Sequence, residues 1–210
     1  MTRRRDQRAD FGRKSQAREP HPTVLIVCEG AETEPGYFKA FRRAHGIHAQ
    51  VTVCGEECGS HPKSVVDYAA KEMRRARRDG IPFERTWCVF DRDEHGEIPA
   101  ALDRAKALGI CVALSNPCFE LWYLLHFAPY STGYIARDDA QTKVREFIPG
   151  YHKSMRVFDA LPDRGKALED AARLRRHHQA ANGTGFENPS TSVDLLVLEL
   201  TALATRQPAG

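Results

Sequence analysis

An α/β fold built on a mostly parallel, four-stranded sheet flanked by helices is predicted by three features of this sequence. Short apolar runs of strand composition recur, at residues 24–28 and 87–90 above all, and each stops abruptly at an acidic residue. Longer stretches with apolar residues at helical spacing lie between them. A strand, helix, strand, helix order favours right-handed crossovers, and those give parallel pairing. The 210 residues are enough for one well-buried core with a helical extension.

Residues 1–20 carry seven Lys or Arg against three acids and almost no apolar side chain, so a disordered basic tail is expected there. It reads either as an arm that contacts phosphate or as an inert leader. With the tail at +4 and a total of +3, the remainder is close to neutral, and bulk charge encodes no general nucleic-acid surface. The tail lacks the apolar core of a signal peptide, and no run approaches the roughly 18 apolar residues of a membrane span. A cytoplasmic protein without membrane contact is expected.

The first strand, 24–28, ends in Glu29-Gly30 and leads into a helix over about 34–44, with Tyr37, Phe38 and Phe41 at core-facing spacing. A strand at 48–54 and a glycine-containing loop at 55–60 precede a helix over 62–79. The basic end of that helix, Lys71, Arg74, Arg75, Arg77 and Arg78, suits the negative pole of the helix dipole and reads as a solvated face or an RNA contact. The third strand stops at Asp91-Arg92-Asp93. A helix over 98–108 closed by Gly109 and a fourth strand at 110–114 follow. Asn116-Pro117 has the pattern of an N-cap followed by proline at the first helical position, which would put Asn116 and Glu120 on one face of a helix. Residues 128–151 read as an insertion or linker with a helix over 139–147. Helices over 165–180 and 190–204 finish the chain, the last opening on a Thr191-x-x-Asp194 cap. The organisation expected is a core at 21–127 and an insertion with a helical extension at 128–210 packed on it.

The chemistry concentrates where the strands end. Asp91 and Asp93, two apart, leave an extended segment on the same side, and their carboxylates repel unless a cation lies between them. The alternative is a solvated turn that caps the next helix. Glu29 ends the other apolar strand, and ligands of open α/β sheets collect at this edge. Hard oxygen donors of this kind suit Mg2+ or Mn2+. Glu120 reads as a further site acid, a general base or a first-turn residue that complements the helix dipole. Lys153 could neutralise a phosphate, with His152 beside it as acid or base; a plain surface loop explains the same letters. His126 reads as a packed or surface residue. Cys54, Cys58 and His61 make a C-x3-C-x2-H cluster, but a fourth zinc ligand is missing. The other cysteines fall in apolar elements, as small core residues of a reducing compartment do. No P-loop, H-E-x-x-H or G-x-S-x-G is present.

The segments V-L-I-V-C-E-G and V-F-D-R-D-E-H-G resemble the two signatures of the Toprim domain, the metal-binding fold of topoisomerases, bacterial primases and several nucleases. With S-N-P-C-F-E-L-W-Y-L-L-H-F at 115–127 and N-P-S-T-S-V at 188–193, the chain resembles the RloB-like family, small Toprim-related proteins found near restriction loci and, in some members, beside CRISPR systems. The likeness runs over about 24–200. It implies a Toprim/Rossmann-like core and a metal-dependent nuclease of prokaryotic anti-phage defence. Glu29, Asp91 and Asp93 would hold Mg2+ or Mn2+ and act with Glu120 and Lys153, while Asn116, His152, Asn188 and Ser190 would contact substrate. The resemblance points to RNA over DNA, tRNA being a candidate, and to a cyclic oligoadenylate activator in CRISPR-linked members; a homo-oligomer is a separate expectation that the sequence leaves open. A rival expectation is a sensor of the same fold that binds a nucleotide or nucleic acid without cutting it.

Overall fold

The computed structural model describes residues 24–53, 61–92, 98–129, 132–162, 164–181 and 183–206. The basic tail, the loop with Cys54 and Cys58, and Asp93 lie outside the described residues. Strands β1 (Val24–Cys28), β2 (Ala49–Val53), β3 (Arg85–Asp91) and β4 (Cys111–Asn116) pair in parallel in the order β2-β1-β3-β4. The α-helices of the described part are α1 (Thr33–Ala44), α2 (Pro62–Arg78), α3 (Ile98–Leu108), α4 (Glu120–Phe127), α5 (Arg137–Phe147), α6 (Arg164–Ala180) and α7 (Val193–Arg206).

The central strand β1 is apolar without alternation, as is the Trp87–Phe90 stretch of β3, because both faces of the sheet are covered there, whereas β2 at the edge alternates. Val24, Ile26 and Cys28 of β1 enter one core with Tyr37, Phe38 and Phe41 of α1 and with α4 and α7. Leu25 and Val27 enter the other, against Val65, Val66 and Ala69 of α2 and Ala101 and Ala105 of α3. Helix α4 is apolar between Glu120 and His126, and every residue of 120–126 is buried, as expected of a helix enclosed by protein on all sides. An edge-to-face aromatic cluster joins it to α1, with Tyr37 and Phe119 ring centroids 5.6 Å apart and Phe119 and Tyr123 5.4 Å apart. Gly109 closes α3 at φ 67°, a left-handed position that side chains resist.

Four expectations need correction. The sheet has five strands: β5 (Ser190–Thr191) pairs antiparallel with the end of β4, Asn116 opposite Ser190 and Ser115 opposite Thr191. The final helix therefore starts at Val193, and Thr191 spends its hydroxyl on Ser115 Oγ at 2.9 Å and the Val193 N–H at 3.2 Å. Asp194, instead of closing a capping box, pairs with Arg175 of α6. Asn116 is not an N-cap either. It is the last residue of β4, and its Nδ2 donates to the Phe186 carbonyl at 2.9 Å, while α4 begins only at Glu120. Strand pairing thus overrides the local Asn-Pro signal, and Asn116 shares no helical face with Glu120. Helix α5 opens at Arg137, two residues before the expected start, which bears directly on the site.

Candidate active site

Parallel strands held in register deliver their last residues to one edge. Cys28 of β1 lies opposite Val89 of β3, so Glu29 and Asp91 leave the sheet as neighbours. The Glu29 N–H donates to the Val89 carbonyl at 2.9 Å, and the Asp91 N–H approaches Glu29 Oε2 at 3.4 Å. Glu34, in the first turn of α1, is only 6% exposed and folds back over Gly30. A Cβ at position 30 would collide with the Glu34 carboxyl, so the bare glycine admits that acid to the site. Glu120 opens α4, buried, and accepts a hydrogen bond from the Tyr151 hydroxyl at 2.9 Å. Arg137, the first residue of α5, donates from Nη1 to Asp91 Oδ2 at 3.1 Å and from Nη2 to the Pro117 carbonyl at 3.2 Å. These groups line a cavity of about 350 Å³, with Lys153 also on its wall.

The cavity is short of positive charge. Five acids, Glu29, Glu32, Glu34, Asp91 and Glu120, line it against two bases, Arg137 and Lys153. Burial pushes the Asp91 carboxyl well above the usual carboxylate range; Glu34 raises it further, Arg137 opposes, and Glu120 and Glu29 add to the rise. Burial likewise raises Glu34, with Glu120 adding to the effect and Lys153 and Arg137 offsetting part of it. Burial and the neighbouring Glu120 carboxylate both push the Tyr151 hydroxyl up, so it stays a donor at every ordinary pH. Asp91 Oδ1 is buried and has no hydrogen-bond partner. An unsatisfied carboxylate oxygen among like charges is what a cation relieves. Among the described residues, no three Asp, Glu, His or Cys side chains already converge in chelating geometry, Arg137 lying against Asp91 instead.

The expected site residues separate into distinct places. Glu29, Asp91, Glu120 and Lys153 line the carboxylate cavity, and Asp93 is outside the described residues. Asn116 and Asn188 line a second cavity on the far side of Arg137. Asn188 is fully engaged there, its Oδ1 accepting from the Ile135 N–H at 2.9 Å and its Nδ2 donating to the Ile135 carbonyl at 2.8 Å. Ser190 is buried in β5, its Oγ without a partner, and His152 is exposed; neither lines either cavity. His126 is buried, with Nδ1 2.9 Å from the Trp122 carbonyl. Glu34 and Arg137 join the site without being expected from the sequence. Glu34 looked only like a helix opener, and Arg137 lay in a segment read as linker; the turn from Glu29 through Gly30 to Glu34 was the available signal for the first. The second left none.

With strands, carboxylates and both cavities in place, the match to a known family falls on the right residues. The model of the family described as RloB-like protein matches residues 24–200. The chain belongs to the RloB-like family. The matched span runs from β1 into α7 and so contains every wall of both cavities of this RloB-like protein. No curated protein and no solved structure matches the chain. Among the described residues no helix is long and apolar enough to cross a membrane.

Proposed function

We propose that the carboxylate cavity is the centre of a metal-dependent nuclease that hydrolyses phosphodiester bonds in RNA. The observation that carries this reading is Asp91: a buried carboxylate with one oxygen orphaned, at the carboxyl end of a parallel sheet, among acids that raise its pKa. A cavity with five acids and two bases repels a phosphate by itself, so the same walls that suit a dication exclude an anion in its absence. Glu29 and Asp91 would hold Mg2+ or Mn2+, with Glu34 close by and Asp93 following on the chain; hard oxygen donors fit these ions. Such an ion, when bound, acidifies water and offsets charge on phosphate oxygens.

The remaining residues have roles of their own. Glu120, oriented by Tyr151, would take the proton of the attacking water as its oxygen bonds to phosphorus, while the P–O bond to the leaving oxygen breaks and that oxygen takes a proton from solvent. Arg137 neutralises a phosphate oxygen once Asp91 is otherwise paired, and Lys153 does so from the wall. RNA, with tRNA the first substrate to try, a setting in anti-phage defence, a Toprim-like ancestry and control by a cyclic oligonucleotide extend this proposal on the strength of the family resemblance. A sensor that binds without cutting is the second reading. The absence of a ready chelating trio among the described residues favours it.

The test is incubation of labelled tRNA, total RNA and single- and double-stranded DNA with Mg2+, Mn2+ or EDTA, with and without cyclic oligoadenylates, beside Asp91→Asn. Cleavage that needs both the metal and Asp91 supports the nuclease. Retained binding by a folded protein, with no cleavage in any lane, supports the sensor.

A further inference from the structure

A second cavity of about 690 Å³ opens at the carboxyl ends of β3 and β4 and shares Arg137 with the carboxylate cavity. Its size lies within the roughly 300–1,000 Å³ of ligand sites. Its character differs from the first. Tyr134 lines it with 78% of its surface exposed, the highest value among the exposed large apolar side chains of the described residues. The backbone beneath that ring is nonetheless fixed, because the next residue, Ile135, is gripped at both its N–H and its carbonyl by Asn188. An aromatic ring on a clamped backbone, facing solvent, is a stacking platform that has paid its ordering cost before any ligand arrives.

The cavity also carries two cations, Arg92 and Arg137. Arg92 donates from Nη1 to the Phe186 carbonyl at 3.1 Å, the same oxygen that Asn116 reaches at 2.9 Å, so one carbonyl holds the guanidinium in place while its other N–H groups lie outside that bond. Two acids, Asp138 and Glu187, line the same wall and match its two bases in number; of these, Glu187 accepts from the Thr184 N–H at 2.7 Å, the Thr184 hydroxyl at 3.0 Å and the Gly185 N–H at 2.9 Å. Glu187 is therefore already occupied by its own turn. Arg137 stands between the two cavities.

We infer that the second cavity binds one nucleotide of a single-stranded nucleic acid beside the scissile phosphate, Tyr134 stacking on the base and Arg92 and Arg137 taking its phosphates. This rests on the nuclease reading only for the word scissile; the subsite itself is a matter of binding. Stacking on an open ring accepts any base, so the subsite selects unpaired strand over duplex rather than one sequence. A duplex keeps its bases stacked on one another and cannot offer a face to Tyr134.

The test uses fluorescence anisotropy of the full chain with a labelled hexa-adenylate RNA and with the same backbone made abasic, in CaCl2 and in EDTA. Tyr134→Ala is expected to weaken hexa-adenylate binding about tenfold, within the range for one base stacked on an aromatic ring, and to leave the abasic strand unchanged. Tyr134→Phe, which keeps the ring, is expected to bind within about twofold of the parent protein. Arg92→Gln is expected to weaken both strands and lower the salt slope by about 1. Equal losses on both strands in Tyr134→Ala, an unchanged affinity, or no binding by the parent protein would each overturn the assignment. Tyr134-dependent binding without cleavage leaves the subsite standing and removes the nuclease; cleavage indifferent to Tyr134 does the reverse.

Discussion

Loading the carboxylate cavity with a dication should stabilise the fold, by an amount that depends on pH. Asp91 and Glu34 have carboxyl pKa values raised by burial and then by neighbouring acids. An acid whose folded pKa lies above its unfolded value adds stability below the unfolded pKa, and that stability is lost as pH rises through the folded pKa. At neutral pH the cavity thus works against folding, with five acids facing two bases. An ion that binds the folded chain alone contributes about 2.7 kcal/mol at a hundredfold excess over Kd. For a chain of this size each kcal/mol moves Tm by about 2–4 °C, so the rise should be about 5–11 °C. Calorimetry of metal-stripped protein between pH 5 and 8, in MgCl2, MnCl2 or EDTA, measures it. The rise should be largest at the alkaline end and shrink as protons compete for Asp91 and Glu34. Asp91→Asn, without metal, should melt above the parent protein at neutral pH and lose most of the metal response. A folded protein with no rise for any dication, or the same rise in Asp91→Asn, refutes the reasoning.

Three other outcomes follow from contacts around the site. Tyr151→Phe removes the donor 2.9 Å from buried Glu120 and should cost about 1–3 kcal/mol in urea denaturation, the range for stranding a buried acceptor. Arg175→Met leaves Asp194, whose side chain is 1% exposed, without its guanidinium and should cost about 3–5 kcal/mol at neutral pH. Burial already raises the Asp194 pKa against the pull of Arg175, so this loss should shrink as acid protonates the carboxyl, and Arg175→Met/Asp194→Leu should recover most of it. Asn188→Ala breaks both hydrogen bonds to Ile135 and should lower the stability by about 1–3 kcal/mol, with faster amide exchange at Ile135 as the local readout.

How far the sequence carried depends on whether each feature is written locally. The runs 24–28 and 87–90 are legible because a strand covered on both faces must be continuously apolar there, and the acids that follow them stand out for the same reason. Glu29 and Asp91 could therefore be paired before any coordinates. Strand β5 could not, because two polar residues carry no period, and Ser190 and Thr191 become a strand only by meeting Asn116 and Ser115. That same meeting is why Asn116 ends a strand where its letters promise a cap. Arg137 reaches Asp91 from 46 residues away along the chain, through the packing of α5 on α4, and no spacing rule reports such a contact. Glu34 was half visible. Its position after Glu29-Gly30 marks a helix start, but the fold of its carboxyl over Gly30, where a Cβ would meet it, is a contact that no spacing rule reports.

The central claim is that the carboxylate cavity presents a dication to a phosphodiester. Single-turnover cleavage of an end-labelled tRNA transcribed with randomly placed phosphorothioates tests it most directly, since sulfur in place of a non-bridging oxygen weakens Mg2+ contact and Mn2+ restores it. The expected result is a loss of cutting at substituted positions in Mg2+, rescue in Mn2+, and no cutting by Asp91→Asn in either. Cutting that proceeds equally in EDTA, or that survives Asp91→Asn, would contradict it.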